Sequence, residues 1–392
     1  MMGPVPVLEE VRDQLAELER EGLLRRPRCL EGARGAEVRV DGRPVLLFCS
    51  NDYLGLASHP RLVEVCREAL LEHGLGAGAS RLISGTSPAH LAAEDRLARL
   101  VGQPAALLFS SGYAANVGAL TTLLGPGDVA FSDRLNHASL IDGLRASRAA
   151  VHVYRHGDAE HLRALLEAHR RDGRRAWVVT DALFSMDGDL APLGALRALC
   201  DAYDAGLFVD EAHSLGVIGE GRGLCRHLGV RPDALVGTLG KAAGVAGAFV
   251  AGTPELRMLL ENRARSYVFS TAVPAVLAVA AGAAAELVEE AGEARARLRR
   301  HGARVREGLL TQGWSVPPDG ASPIVPVRVG DPTRTMRLSA RLLELGVFVQ
   351  GIRPPTVPAG TSRLRVVPTA AHLDVHVEAL LEAFGALGGE PR

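Results

Sequence analysis

Short apolar runs alternate with helical patterns along most of this 392-residue chain. The runs AALLF (105–109), DVAFS (128–132), VHVYR (151–155), AWVVTDA (176–182), GLFVDEA (206–212) and ALVGTL (234–239) are almost continuously apolar. A strand covered on both faces reads this way, whereas a strand with one wet face alternates. Strands alternating with helices predict right-handed crossovers and an α/β fold with a mostly parallel, doubly wound sheet. Ahead of that sheet, residues 5–23 carry the spacing of an amphipathic helix, and EVRVDGRPVLLF reads as two strands around an Asp41-Gly42 turn. A long helical region begins near 274. Beyond about 290 the elements shorten to PIVPVRV, a helix near 333–345, FVQGIRPP, RLRVV and a closing helix, which predict a smaller α+β unit. The expected division is a helix and hairpin over 1–45, a large domain over 46–289 and a small C-terminal domain over 290–392.

Composition narrows the function classes. Apolar residues make up 47% and charged residues 23%, an ordinary globular balance. A net charge of -1 gives no reason to expect nucleic acid or an anionic membrane as partner. Cys29, Cys49, Cys66, Cys200 and Cys225 are far apart, with no CxxC pair and no metal-ligand spacing, and predict free thiols in a reducing cytoplasm. MMGPVPVLEEVRDQ has no basic segment followed by an apolar core, so it does not read as a signal peptide. STAVPAVLAVAAGAAAELVEE is Ala-rich and too weakly hydrophobic for a membrane span, and is expected to form a buried helix.

One cation stands apart. Of the 44 Lys plus Arg residues, 43 are Arg, and the single lysine is Lys241 in TLGKAAGVAGA. A plain charge could be Arg here as elsewhere in the chain. Arg cannot lose its proton, whereas a buried lysine amine readily does, and a neutral amine can attack a carbonyl to form a Schiff base.

Ligands of such sheets sit beyond the carboxyl ends of the strands. After AALLF comes SSGYAANVGAL, where Gly112 opens a helix whose free N–H groups, with those of Tyr113 and Ala114, can hold a phosphate. After DVAFS comes His137, after AWVVT come Asp181 and Ser185, after GLFV come Asp210 and His213, and after ALVG come Thr238 and Lys241. A metal site would take Asp210 and His213, but no third ligand presents itself and the lysine goes unused. A pyridoxal phosphate site uses every piece. Lys241 makes the Schiff base, and Asp210 pairs with the ring nitrogen so that the ring accepts electrons. The helix at Gly112 and Thr238 take the phosphate, His137 is a candidate to stack on the ring, and His213 and Ser185 are candidates to bond its phenolic oxygen.

Over about residues 24–385 the chain resembles the α-oxoamine synthase family of fold-type-I pyridoxal phosphate enzymes. The resemblance is carried, in order, by SNDYLGLASHP, GAGASRLISGT, SSGYAANVG, NHASLIDG, TDALFSMDGDLAPL, DEAHSLGVIGEGRG, TLGKAAGVAGA, FSTAVP and GIRPPTVPAGTSRLRVVPTAAH. It implies pyridoxal 5'-phosphate as cofactor and catalytic roles for Lys241, Asp210 and His137. It also implies a homodimer with active sites at the subunit interface, FSTAVP offering Ser270 and Thr271 to the partner's cofactor phosphate. Arg365 is implied to clamp the amino-acid carboxylate. Asn51 and His137 are implied near the substrate, with Arg25 and Thr356 near its acyl part. IRPPTVPAGTSRLR is most similar to family members that condense L-alanine with a pimeloyl thioester, on CoA or acyl carrier protein, with loss of CO2. Members using glycine or serine, an aminotransferase of the same fold and a non-catalytic scaffold are the alternatives. Two departures stand out: DEAHSLG is similar to the serine palmitoyltransferases of the family, and Ala93 occupies a place where the family pattern has Leu.

Overall fold

The computed structural model describes residues 6–388 apart from 173 and 319. Helix Pro6–Arg20 leads into strands β1 (Leu30–Glu31), β2 (Glu37–Val40) and β3 (Arg43–Leu47), paired antiparallel. Asp41 and Gly42 turn the β2–β3 hairpin at φ of 49° and 79°. Positive φ at both central residues matches the twist of a tight hairpin, and Asp-Gly tolerates it.

The large sheet contains β4 (Ala105–Phe109), β5 (Val129–Asp133), β6 (Ala150–Tyr154), β7 (Ala176–Asp181), β8 (Gly206–Asp210), β9 (Ala234–Thr238) and β10 (Ala248–Gly252). Their spatial order is β4-β10-β9-β8-β7-β5-β6. Each of the six apolar runs forms a strand within about a residue of its expected bounds. The seventh strand, β10, was not foreseen, and it runs antiparallel to both neighbours. AFVAG is short and sits directly after the Gly- and Ala-rich segment of Lys241, so periodicity gives it no separate signature. Its presence matters for the lysine: residues 239–247 are a return loop between two paired strands, held over the sheet's end. Gly244 in that loop has φ +69°, and a Cβ there would fall 2.5 Å from the Ala57 nitrogen.

Alternate residues of the strands other than the edge strand β6 feed two cores; β6, expected to be fully buried, leaves Val151 and Val153 exposed and buries only Tyr154. Leu108, Phe131, Val178, Leu207, Val209 and Phe249 face one side. Leu107, Ala130, Val179, Phe208, Val236 and Val250 face the other. This double coverage explains the unbroken apolar runs. Helix Ala275–Glu290, expected from its alanines, covers helices Pro60–His73 and Pro88–Val101. Ala93 is buried opposite Gly282 of that helix, a small-on-small contact that leaves no room for Leu.

The C-terminal strands are β11 (Val325–Gly330), β12 (Val347–Phe348), β13 (Gln350–Ile352) and β14 (Ser362–Val366), with the order β11-β14-β13 in one sheet. β12 instead pairs parallel with β3, extending the N-terminal hairpin. Phe48 packs in one core with Val325, Val327, Leu364, Val366 and Phe384. The hairpin is thus seated on the C-terminal unit. Among the described residues no helix is long and apolar enough to cross a membrane.

Candidate active site

The strand order brings the carboxyl ends of β5, β7, β8 and β9 beside the start of helix Gly112–Leu123. Lys241 is half-buried there, with Nζ 2.7 Å from Nε2 of His213. Burial pulls the Lys241 amine down to about 8, assisted by Arg365 and opposed by Asp210 and Asp181. A useful fraction of a nucleophilic, neutral amine therefore exists near neutral pH. His213 is buried, and burial with the charges of Lys241 and Arg365 holds its pKa well below the usual range. Its Nδ1 lies 2.6 Å from the Tyr53 hydroxyl. With the ammonium donating to Nε2, the hydrogen-bond network assigns the ring proton to Nδ1, which donates to Tyr53.

Arg365 closes this chain of contacts. It donates from Nε to the Ser185 carbonyl at 2.6 Å, from one terminal nitrogen to Asn51 Oδ1 at 3.1 Å and from the other to the Tyr53 hydroxyl at 3.3 Å. The amine of Lys241 and the guanidinium of Arg365 are thereby joined through two side chains, His213 and Tyr53.

A second set surrounds Asp210, which is buried at the end of β8. Its oxygens accept from Asn116 Nδ2 at 2.7 Å and from the Ala212 amide at 2.8 Å. Asn116 Nδ2 also reaches the Ser139 hydroxyl at 2.9 Å, and Nδ1 of His137 is 2.7 Å from that same hydroxyl. The His137 amide donates to Asp181 at 2.7 Å. Asp181 sits opposite Asp210 in the β7–β8 register, and burial together with the Asp210 carboxylate pushes its carboxyl well upward. His137 caps helix Ala138–Ser147 and keeps its side chain exposed on the open side of the site.

At the start of helix Gly112–Leu123 one expectation changes. The Ala114 amide, grouped with those of Gly112 and Tyr113 as an anion donor, is taken by the capping Ser111 hydroxyl at 3.1 Å. An N-cap hydroxyl competes for the same orphan donors. Gly112 and Tyr113 remain for that role, and the Tyr113 side chain turns outward to bond Asp142 at 2.8 Å. A Cβ at Gly112 would lie 3.7 Å from Oγ1 of Thr238, so a side chain here would fill the space between the helix start and Thr238. That cradle, the amine and the paired carboxylate are the donor set pyridoxal phosphate requires, and the residues fit the group.

Thr271, Arg25 and Thr356 stand elsewhere, and Ser185 meets Arg365 in an unexpected way. Thr271 bridges Ser80 and, with Ser270, lines a crevice beside Arg81 and Tyr267. Arg25 donates to Thr356 Oγ1 at 3.2 Å, and both line a cavity of about 1070 Å³ with Met336, Phe348 and Arg353. Ser185 contributes its carbonyl to Arg365 rather than its hydroxyl. The residues that sequence reasoning did not single out are Tyr53 and Asn116. Tyr53 was visible two positions after Asn51, and Asn116 one helical turn after Gly112, on the same helix face.

The family model of the class I and II aminotransferases matches residues 43–384. An 8-amino-7-oxononanoate synthase of Geobacter sulfurreducens is 49% identical over 385 residues, covering 97% of this chain and 98% of that one. A solved serine palmitoyltransferase from S. paucimobilis, with a bound PLP–myriocin aldimine, superposes at a TM-score of 0.92 with 29% identity, covering 99% of this chain and 98% of that one. The solved 8-amino-7-oxononanoate synthase of Francisella tularensis superposes at 0.75 with 28% identity, covering 87% of this chain and 97% of that one.

Proposed function

Starting from a chain that belongs to the class I and II aminotransferase family, and within it to the α-oxoamine synthases, we propose that its substrates are L-alanine and a pimeloyl thioester, on CoA or acyl carrier protein. The reaction is the decarboxylative condensation that yields 8-amino-7-oxononanoate and CO2 in biotin biosynthesis, and the enzyme is a pyridoxal-phosphate-dependent acyltransferase. The observation that carries the substrate reading is the chain Lys241–His213–Tyr53–Arg365, which sets an amine at one end and a carboxylate receptor at the other.

When bound, pyridoxal phosphate supplies an aldehyde for amines and a ring that accepts the negative charge developing at the amino acid's Cα. Lys241 would hold the aldehyde, and its amine, once released, would serve as the base for the Cα proton. A pKa of about 8 suits a base working near neutrality. His213 keeps that amine within 2.7 Å of a neutral ring nitrogen and so holds it in place. Asp210, itself held by Asn116 and Ala212, would supply the negative charge that keeps the ring nitrogen protonated. Gly112, Tyr113 and Thr238 would hold the phosphate, and His137 would pack on the ring. Arg365 receives the amino-acid carboxylate. Arg25 and Thr356 hold the polar end of the acyl group in a cavity that Arg26, Arg28 and Arg353 also line, beside the apolar Met336 and Phe348.

A short acyl chain ending in a carboxylate suits that cavity better than a long hydrocarbon tail. The family likeness supports a homodimer in which Ser270 and Thr271, lining a crevice with Ser110 and Arg81, serve the partner's phosphate. The setting is the cytosol.

A panel of amino acids against acyl thioesters, read by CO2 release and product mass, tests the reading. Alanine with pimeloyl thioester should far exceed serine with palmitoyl thioester. A methyl group is worth only ~1–3 kcal/mol of discrimination, so residual activity with glycine is expected. Faster turnover of serine with palmitoyl thioester would replace this substrate pair with that of the serine palmitoyltransferases.

A further inference from the structure

Residues Ala182–Ala191 leave the end of β7, turn and come back. Leu183 and Leu190 bridge antiparallel, the Phe184 amide donates to the Asp189 carbonyl at 3.0 Å, and the Ala191 amide to the Ala182 carbonyl at 3.0 Å. Gly188 at the turn has φ +75°, and a Cβ there would lie 2.6 Å from the Ile324 carbonyl oxygen. The hairpin tip is thus pressed against the chain entering β11.

Two arginines of β14 reach this hairpin. Arg363 and Arg365 are two residues apart and share a face of the strand, and both are buried. Arg365 binds the Ser185 carbonyl. Arg363 donates to the Asp187 carboxylate and, at 3.3 Å, to the Met186 carbonyl, while its Nε donates to the Thr361 carbonyl at 3.0 Å. Its side chain is 5% exposed and that of Asp187 21%, so this pair is shielded from water. The other arm of the hairpin is tied by Asp189, whose carboxylate lies 2.7 Å from His156 Nε2, the ring's Nδ1 being 2.9 Å from Asp133.

A guanidinium has five N–H donors in a fixed plane. Arg365 uses three, on Ser185, Asn51 and Tyr53, which leaves one on each terminal nitrogen for a two-pronged grip on a carboxylate. The Nε contact fixes the plane of that fork. Its acceptor is a backbone carbonyl, so its place depends on the hairpin alone.

We propose that Asp187 and Arg363 are positioning residues for Arg365: their shielded ion pair fixes the 182–191 hairpin so that the Ser185 carbonyl aims the Arg365 fork at the amino-acid carboxylate. This rests on the reading of Arg365 as the carboxylate clamp. Neither residue touches the amino acid; both act through Ser185.

The test uses the pyridoxal-phosphate-loaded enzyme and the variants Asp187→Asn, Arg365→Lys and the double variant. Amino-acid affinity is read from the cofactor's absorbance change on titration, beside kcat and both KM values. Asp187→Asn should weaken amino-acid binding by about tenfold, leave the thioester KM within about twofold, and add little in the Arg365→Lys background, because the two substitutions remove one interaction. Unchanged amino-acid affinity in Asp187→Asn, equal weakening of both substrates, or a full effect persisting in the Arg365→Lys background would each overturn the proposal. If Asp187→Asn does not fold, Arg363→Lys carries the same test, since a single ammonium cannot span Asp187 and the Met186 and Thr361 carbonyls together. Arg365→Lys with unaltered amino-acid affinity would remove the clamp reading itself, an outcome distinct from failure of Asp187→Asn alone.

Discussion

The proposed chemical centre and the proposed acyl-binding cavity are built in opposite ways. Around Lys241, His213, Tyr53 and Asp210 are buried, and their polar atoms meet partners at 2.6–2.8 Å supplied by strand ends, the loop of Tyr53 and the helix of Asn116. Around the large cavity, Arg25 and Thr356 are exposed, come from segments far apart in the chain, and meet through one contact of 3.2 Å. Buried, fully partnered groups are fixed in advance of the reaction and cost no reorganisation when charge develops. Exposed cations in water hold their partners weakly, typically by ~0–1 kcal/mol. On the proposed function, the chemistry and the grip on the amino-acid carboxylate lie at the rigid end, and recognition of the acyl group is left to an adaptable one. Losses at the two ends should differ by orders of magnitude.

The largest effect is expected at the rigid end. Lys241→Arg keeps a cation and loses the nucleophilic amine, and product formation should fall on the order of 10⁴-fold or more. As the chain has one lysine, borohydride reduction of the native enzyme should fix the cofactor to the TLGK peptide alone. A reduced adduct mapped elsewhere would break the comparison at its root.

An intermediate effect follows from the amine's pKa of about 8, below its ordinary 10.5. The neutral fraction of Lys241 in the cofactor-free protein rises about tenfold per pH unit up to that value and then levels off. The rate of cofactor incorporation should follow this curve, and a rate still climbing about tenfold per unit from pH 8 to 10 would show an amine that is not depressed. The sign for stability is the reverse of a stabilising salt bridge. The unfolded chain holds the proton up to about 10.5 and the folded protein only to about 8, so this group's contribution to stability rises across that window.

The smallest effect belongs to the cavity. Arg25→Gln and Thr356→Val should each raise the thioester KM by roughly threefold to tenfold, with kcat and amino-acid affinity within about twofold. A thousandfold loss in kcat from either would show that the recognition end is as fixed as the chemical one.

How much of this was legible beforehand depends on whether a signal was local. Five of the six runs were visible because burial on both faces writes an apolar run into the sequence, and the sixth, the exposed edge strand β6, through its β-branched valines. Lys241 was visible because an Arg-rich chain had kept one primary amine, and Asp210, His213 and Thr238 because strand ends are where such sheets place their chemistry. β10 was hidden, since its five residues follow a Gly- and Ala-rich loop without contrast. Tyr53 and Asn116 had only a positional signal, their spacing from Asn51 and Gly112, and a buried tyrosine or asparagine is ordinary until its partner is known. The Ala114 amide was misassigned because a capping serine and an anion compete for the same donors.

Sequence by itself determined the elements, the amine and the order of the chemical groups along the chain, all properties of residue type and short-range spacing. Only the tertiary structure decided which of them meet. β3 pairs with β12 some 300 residues later, Tyr53 bonds His213, and Arg365 grips the carbonyl of Ser185. Such pairings leave no periodic trace in either partner, because they are fixed by strand order and loop closure across the whole chain.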